Sequence, residues 1–395
     1  MTENLRDTQA RIASAVNQQR LLETALKLVR IYSPTRSAAE VADGLAEMLI
    51  SEGFSVKRPV ADWAESPAVA LRYDSATPGP CLQFNGHLDT VPLPFYEAEV
   101  SDGMLTGLGA ADMKGGIACC VEAVRVLREC ELLQVGTVLL TAHDHHEGPW
   151  GDGRQVEALI RDGYTGDGVL IPEYLSDLMP MAGRGMAIFE ANFRRSGEPT
   201  HEVLRPEGTG DVVGAAAEFA VKMKEWNVEL SVKAHPVTGT DSAFVGLVQV
   251  GEIYNQSPVN GQVKGTRRWV APGSGVRARV EIESMAWSVA ENHGVEVDVE
   301  FSQMGDAFEL GDDEPLVTAF QRCYRQQSGG CELPVGAKPF LDDGNRFCAA
   351  GVPSVTHGPA SRGAHTISER VPVAELVRVA ELYALIATEF AHSGE

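Results

Sequence analysis

The chain has 395 residues, with 33 Lys+Arg against 55 Asp+Glu and a formal net charge of −22. A field of that sign repels nucleic-acid backbones and anionic membrane surfaces, and excludes both as general partners, while converging carboxylates would favour divalent cations. Hydrophobic residues at 44% are enough for a large core, and at about 150 residues per domain the length predicts more than one.

No stretch reaches the roughly 18–20 apolar residues of a membrane span. The opening MTENLRDTQARIASAVNQQR is polar and lacks the apolar centre of a secretory signal. The seven cysteines are odd in number and contain no C-x-x-C pair, which predicts a reduced, cytoplasmic setting and cysteines that act as small buried hydrophobes.

In chain order, Leu21, Leu22, Ala25, Leu28 and Val29 fall on one helical face, which Ser33-Pro34-Thr35 breaks. Ala39 to Ile50 resumes the helical spacing, and Gly53 is placed to end it. Short strand-like runs follow: SVKRPV, AVALRY and CLQFNGHLD. Residues 115–130 predict a buried helix, and VGTVLLTAH and DGVLIPEY predict strands. This alternation indicates an α/β domain with a mostly parallel sheet. From about Met181 the order becomes strand (MAIFEANFRR), helix (Gly210 to Trp226), two strands (SAFVGLVQVGEIY and GQVKGTRRWV), helix (Arg277 to Ala290) and strand (VEVDVEF). That is the ferredoxin-like order. A helix at PLVTAFQRCYRQQS, a strand at VPSVTHGP and a long helix at VAELVRVAELYALIATEF close the chain. The expected organisation is a catalytic domain in two parts, 1–180 and 303–395, with an inserted α+β unit over 181–302.

Chemistry-bearing residues gather where strands end. His87 and Asp89 stand two apart after CLQFNG, a spacing at which a carboxylate can accept the free ring N–H of a metal-binding histidine. Asp112 lies among glycines in GLGAADMKGG, just before a helix. An ordinary helix N-cap would account for it equally well. His143-Asp144-His145-His146-Glu147 follows one apolar strand, Glu173 follows another, and His365 lies in GAHT. Singly each is unremarkable. Together His87, Asp112, Glu147, Glu173 and His365 supply two imidazoles and three carboxylates to the carboxyl ends of strands, where α/β sheets bind ligands. Such a set suits two zinc-like ions with one carboxylate bridging.

The order HLD, GAADMKGG, HHE, PE and AHT resembles the dinuclear zinc deacylase and exopeptidase family. This family includes acetylornithine deacetylase, succinyl-diaminopimelate desuccinylase, aminoacylase and the glutamate carboxypeptidases. The likeness spans nearly the whole chain, and GHLDTVP with G-x-G-A-x-D-M-K-G-G is a specific pair. The resemblance implies a metallopeptidase-type catalytic domain with an inserted ferredoxin-like lid that forms a homodimer. It implies two divalent ions, zinc foremost, with cobalt or manganese as alternatives. His87 and Glu173 would hold one ion and His365 the other, with Asp112 bridging and Asp89 standing behind His87. The peptide bond after Asp112 would be cis. His201, in GEPTH, would hydrogen-bond an oxyanion in the neighbouring subunit's site, and Asn255 with Arg268 would hold a substrate carboxylate, although Arg267 is adjacent and fits as well.

One motif departs from the family. Two consecutive glutamates are usual, the first as general base and the second as metal ligand; here the pair is His146-Glu147. Either Glu147 is the ligand and His146 stands at the base, or Glu147 is the base and His145 or His146 replaces a ligand. The expected activity is metal-dependent hydrolysis of the amide bond of a small N-acylated amino acid. A non-peptide C–N bond (ureido, carbamoyl or aromatic amine) is the alternative within enzymes, and a catalytically silent carboxylate- or partner-binding protein the alternative outside them. Asp342-Asp343-Gly344-Asn345 resembles a loop beside the family's site, but reads most simply as a turn.

Overall fold

The computed structural model describes residues 5–393, and they form two compact units. The first comprises residues up to Met181, Leu310–Gly336 and the chain from Asp342; the second comprises Ala182–Glu309 and Ala337–Leu341.

The first unit is built on a six-stranded sheet in the order Val56–Lys57, Val69–Asp74, Thr137–His143, Cys81–His87, Gly168–Ile171, Ser354–Thr356. The last four are parallel; the first two join antiparallel. Cys81–His87 and Thr137–His143 are buried at every position, as expected for strands covered on both faces. The parallel run ends at a common edge, where His87 and His143 are register partners.

Helices Gln18–Val29, Lys114–Glu129 and Val373–Ala391 contribute to one apolar core with the sheet. Lys114–Glu129 is buried along nearly its whole length, Glu122 and Arg125 included. Their charges are satisfied: Glu122 receives the Arg20 guanidinium at 2.7 Å, and Arg125 donates to Thr24 Oγ1 at 2.8 Å. Ala39–Ser51 ends as its sequence predicts, with Gly53 at φ 83, a left-handed conformation costly for other residues, and Phe54 N donating to Leu49 O at 3.0 Å.

The second unit is a four-stranded antiparallel sheet in the order Ser242–Val250, Asn260–Trp269, Gly185–Arg194, Glu296–Gly305, with helices Val212–Leu230 and Gly275–His293. Strand order and helix placement in the chain are those of the ferredoxin-like fold. Phe189, Phe193, Phe219, Val263, Ile282 and Val289 form its core.

One element went unassigned in the sequence, and the expectation for the cysteines holds only in part. The polar start is a helix, Leu5–Ala15, anchored by Ile12 and Thr8. Of the cysteines, Cys81, Cys119, Cys120 and Cys323 are buried, but Cys130 and Cys348 are half-buried and Cys331 is exposed. All seven are free thiols.

Candidate metal centre

The five expected ligands come from the first unit, and the sheet edge brings them together. Asp112 lies at the centre, its carboxylate shared between two histidines. Its Oδ1 lies 3.1 Å from His87 Nε2, and its Oδ2 lies 3.1 Å from His365 Nε2. Glu173 Oε1 lies 3.6 Å from His87 Nε2, and Glu147 Oε1 lies 3.1 Å from His365 Nε2. One carboxylate thus joins two half-sites: His87 with Glu173, and His365 with Glu147. The Asp112–Met113 peptide is cis. His365 is held at φ 62, a left-handed conformation that costs a non-glycine residue about 1–2 kcal/mol.

Close packing places these residues. The helix following Asp112 approaches the loop carrying Glu173 so closely that a Cβ at Gly116 would strike the Pro172 carbonyl oxygen. Glu369 Oε2 gathers the backbone N–H groups of Gly109, Ala111 and Asp112 at 3.0, 3.1 and 3.4 Å. Burial and nearby Asp112 push the Glu369 carboxyl up to about 7.

The field fits cations. Burial alone would lower His87, but Asp112 and Glu173 outweigh it and hold the ring well above its usual range. Hydrogen bonds to Asp112 and Glu147 raise His365 to about 10. Burial and the Asp112 charge push Glu173 up to about 8. Crowded carboxylates recruit positive charge, and a metal ion competes with a proton for the same imidazole lone pair. The nitrogen and oxygen donors suit zinc-type ions.

Asp89 differs from its expected role. His87 Nδ1 is 2.9 Å from the Asp89 main-chain oxygen and 3.7 Å from its carboxylate, so the carbonyl takes the ring proton. The carboxylate instead organises the next motif: Asp89 Oδ2 accepts from His146 N at 3.1 Å, Glu147 N at 2.8 Å and Thr35 Oγ1 at 2.7 Å.

His145 is not beside the cation cluster. It takes φ 70, its Nδ1 lies 3.1 Å from Asp152 Oδ1, and its ring packs edge-on against Trp63. His146 faces the site. Its ring stacks on His87 with centroids 4.1 Å apart, its Nδ1 lies 3.0 Å from Asp343 Oδ1, and its Nε2 lies 3.7 Å from Glu173 Oε1. Burial and His87 lower His146, but Asp343 and Glu173 prevail and raise it to about 9.

Sequence reasoning did not single out Glu369, and it set Asp343 aside as part of a turn. Asp342 does make a turn, accepting from Gly344 N at 2.8 Å. Asp343 is buried against His143 and His146. Its sequence signal was the resemblance of its loop to one beside the family's site, which the simpler turn reading set aside.

His201, Asn255 and Arg268 belong to the second unit. His201 and Asn255 are joined there, Asn255 Nδ2 to His201 Nε2 at 3.0 Å, where Thr200–His201 pairs with Gln256–Ser257. Arg267 and Arg268 separate by strand alternation. Arg267 is buried, pairs with Asp241 at 2.9 Å and Glu281 at 3.3 Å, and lies over the Trp226 ring. Arg268 faces the other way; burial and Arg184 lower its pKa, and no carboxylate pairs with it among the described residues.

The model of peptidase family M20/M25/M40 matches residues 83–389. The chain belongs to this family of metal-dependent hydrolases, which act on peptide and acyl-amino-acid amide bonds. Succinyl-diaminopimelate desuccinylase of Maricaulis maris is 27% identical over 387 residues, covering 92% of this chain and 94% of that protein. Among solved structures, aminopeptidase PepT of Bacillus cereus matches 95% of this chain and 100% of its own at a TM-score of 0.78 and 23% identity. The YXEP protein of Bacillus subtilis, titled a dinuclear metal-binding peptidase of this family, matches 95% and 99% at 0.71 and 15% identity. These likenesses support the metallopeptidase fold. Among the described residues, no helix is long and apolar enough to cross a membrane.

Proposed function

We propose that this M20 hydrolase is a dinuclear enzyme that cleaves the amide C–N bond of a small N-acylated amino acid or short peptide. The observation that carries this reading is Asp112, whose two carboxylate oxygens face His87 and His365. His87 and Glu173 would hold one ion, Glu147 and His365 the other, and Asp112 both. Divalent ions there, zinc foremost, supply carbonyl polarisation and hydroxide near neutral pH.

The chain's own residues do the rest. His146 is the general base: it faces Glu173 and His87, it replaces the family's first glutamate, and an imidazole can move a proton from water to a leaving amine. Asp89 fixes the His146-Glu147 backbone. In the second unit, proposed as lid and dimerisation surface, His201 would donate to an oxyanion, and Asn255 with Arg268 would hold a substrate carboxylate. The named activity of the Maricaulis relative supports an N-acyl substrate bearing a carboxylate.

A second reading rests on one observation: ligand atoms of His87, His146 and Glu173 lie within 4.8 Å of one another. His146 would then be a ligand. The test is a panel of N-acetyl- and N-succinyl-amino acids, dipeptides and ureido acids, assayed with zinc, cobalt and manganese. Hydrolysis confined to ureido acids would move the assignment to a non-peptide C–N bond. Turnover of none, with metal bound, would contradict the hydrolase assignment.

A further inference from the structure

We propose that Asp343 is a positioning residue that fixes the tautomer and ring plane of His146, so that Nδ1 keeps its proton and Nε2 faces the reaction centre. This inference rests on the reading of His146 as the base. The family's glutamate in that place needs no orienting partner of this kind, because its two oxygens are equivalent. An imidazole has two different nitrogens, and only the one without a proton can act as a base.

The geometry supplies what an imidazole requires. Asp343 Oδ1 accepts from His146 Nδ1 at 3.0 Å, and the ring lies flat on His87, with an interplanar angle of 3°. The hydrogen bond sets which nitrogen carries the proton; the stack sets the plane. Nε2 is left on the side of Glu173 Oε1, 3.7 Å away. Asp343 is itself held from behind. Its Oδ2 receives His143 Nε2 at 2.8 Å and Asn85 Nδ2 at 3.2 Å, and His143 Nδ1 lies 2.9 Å from the Asp144 carbonyl oxygen. Both oxygens are therefore committed, each to a different ring.

That arrangement makes Asp343→Asn a sharp probe. An amide offers one oxygen and one NH2. Asn85 Nδ2 donates to the Oδ2 position, so the amide oxygen belongs there. The NH2 then turns to His146 Nδ1, which must accept, and the ring proton moves to Nε2.

The experiment is imidazole nitrogen NMR on the zinc-loaded full chain labelled with 15N-histidine, with His146 assigned by its loss in His146→Gln. The expected result is Nδ1–H in the wild type and Nε2–H in Asp343→Asn. Thermal midpoint and zinc content should be nearly unchanged, and kcat on the best substrate of the panel should fall by ~100-fold or more with little change in KM. In a His146→Glu background, Asp343→Asn should cause no further loss, because a carboxylate base has no tautomer to lose. An unchanged tautomer in Asp343→Asn would overturn the proposal, as would an equal loss in both backgrounds. Loss of a zinc ion in His146→Gln would instead overturn the base assignment on which the proposal stands.

Discussion

His365 Nε2 and Glu147 Oε1 lie 3.1 Å apart across 218 positions of sequence. This contact supports the proposal that the altered motif aligns on the ligand rather than on the base. It places Glu147 with Asp112 and His365, and leaves His146 on the side of Glu173.

Asp89 is expected to act through the backbone it holds. Asp89→Ala removes the acceptor for His146 N, Glu147 N and the Thr35 hydroxyl. Urea unfolding should show a loss of about 3 kcal/mol, and metal affinity should weaken by roughly 10–100-fold. Unchanged zinc affinity by competition titration would contradict this role.

The two adjacent arginines should behave differently. Arg267→Ala breaks a buried ion pair and should destabilise the protein by about 3 kcal/mol. Arg268→Ala should leave the thermal midpoint nearly unchanged but raise KM for carboxylate-bearing substrates by roughly tenfold or more. Equal KM effects on substrates with and without a carboxylate would count against Arg268 as the anion contact.

Acid stability should carry the mark of His357. The ring is fully buried among Phe320, Tyr324 and Tyr383, and neither ring nitrogen has a hydrogen-bond partner among the described residues. Burial, with Arg378 beside it, lowers its pKa to about 3. The unfolded chain takes up this proton near pH 6.5 and the folded chain does not, so stability falls as pH drops from there towards 3. The slope is about 1.4 kcal/mol per pH unit. In chelator, His357→Phe should flatten that part of the profile. An unchanged slope would assign the acid loss to other groups.

Metal removal should lower stability even without substrate. At a free zinc concentration of about a thousand times Kd, binding contributes about 4 kcal/mol. Chelation should therefore lower the thermal midpoint, and less so in Asp112→Asn, which removes the shared carboxylate.

Much of this was legible in the sequence because strand ends are. The runs ending at His87, His143 and Ile171 are buried throughout and mostly apolar, and a buried parallel strand must deliver its charged residues where it leaves the core. The inserted ferredoxin-like order was legible from periodicity alone. Asp343 was not, because nothing in a local pattern tells a turn aspartate from one folded back 197 positions onto His146. Asp89 illustrates the same limit: spacing placed it beside His87, but main-chain geometry decided that its carbonyl, not its carboxylate, meets the ring. The helix Leu5–Ala15 escaped because its buried face is only Thr8 and Ile12.

The central claim, a two-ion centre with Glu147 as ligand and His146 as base, is tested most directly by metal content per chain in wild type, Glu147→Ala and His146→Ala. The account predicts about two ions in the wild type, about one in Glu147→Ala and about two in His146→Ala, the last with little activity. Two ions retained in Glu147→Ala, or one lost in His146→Ala, would contradict it.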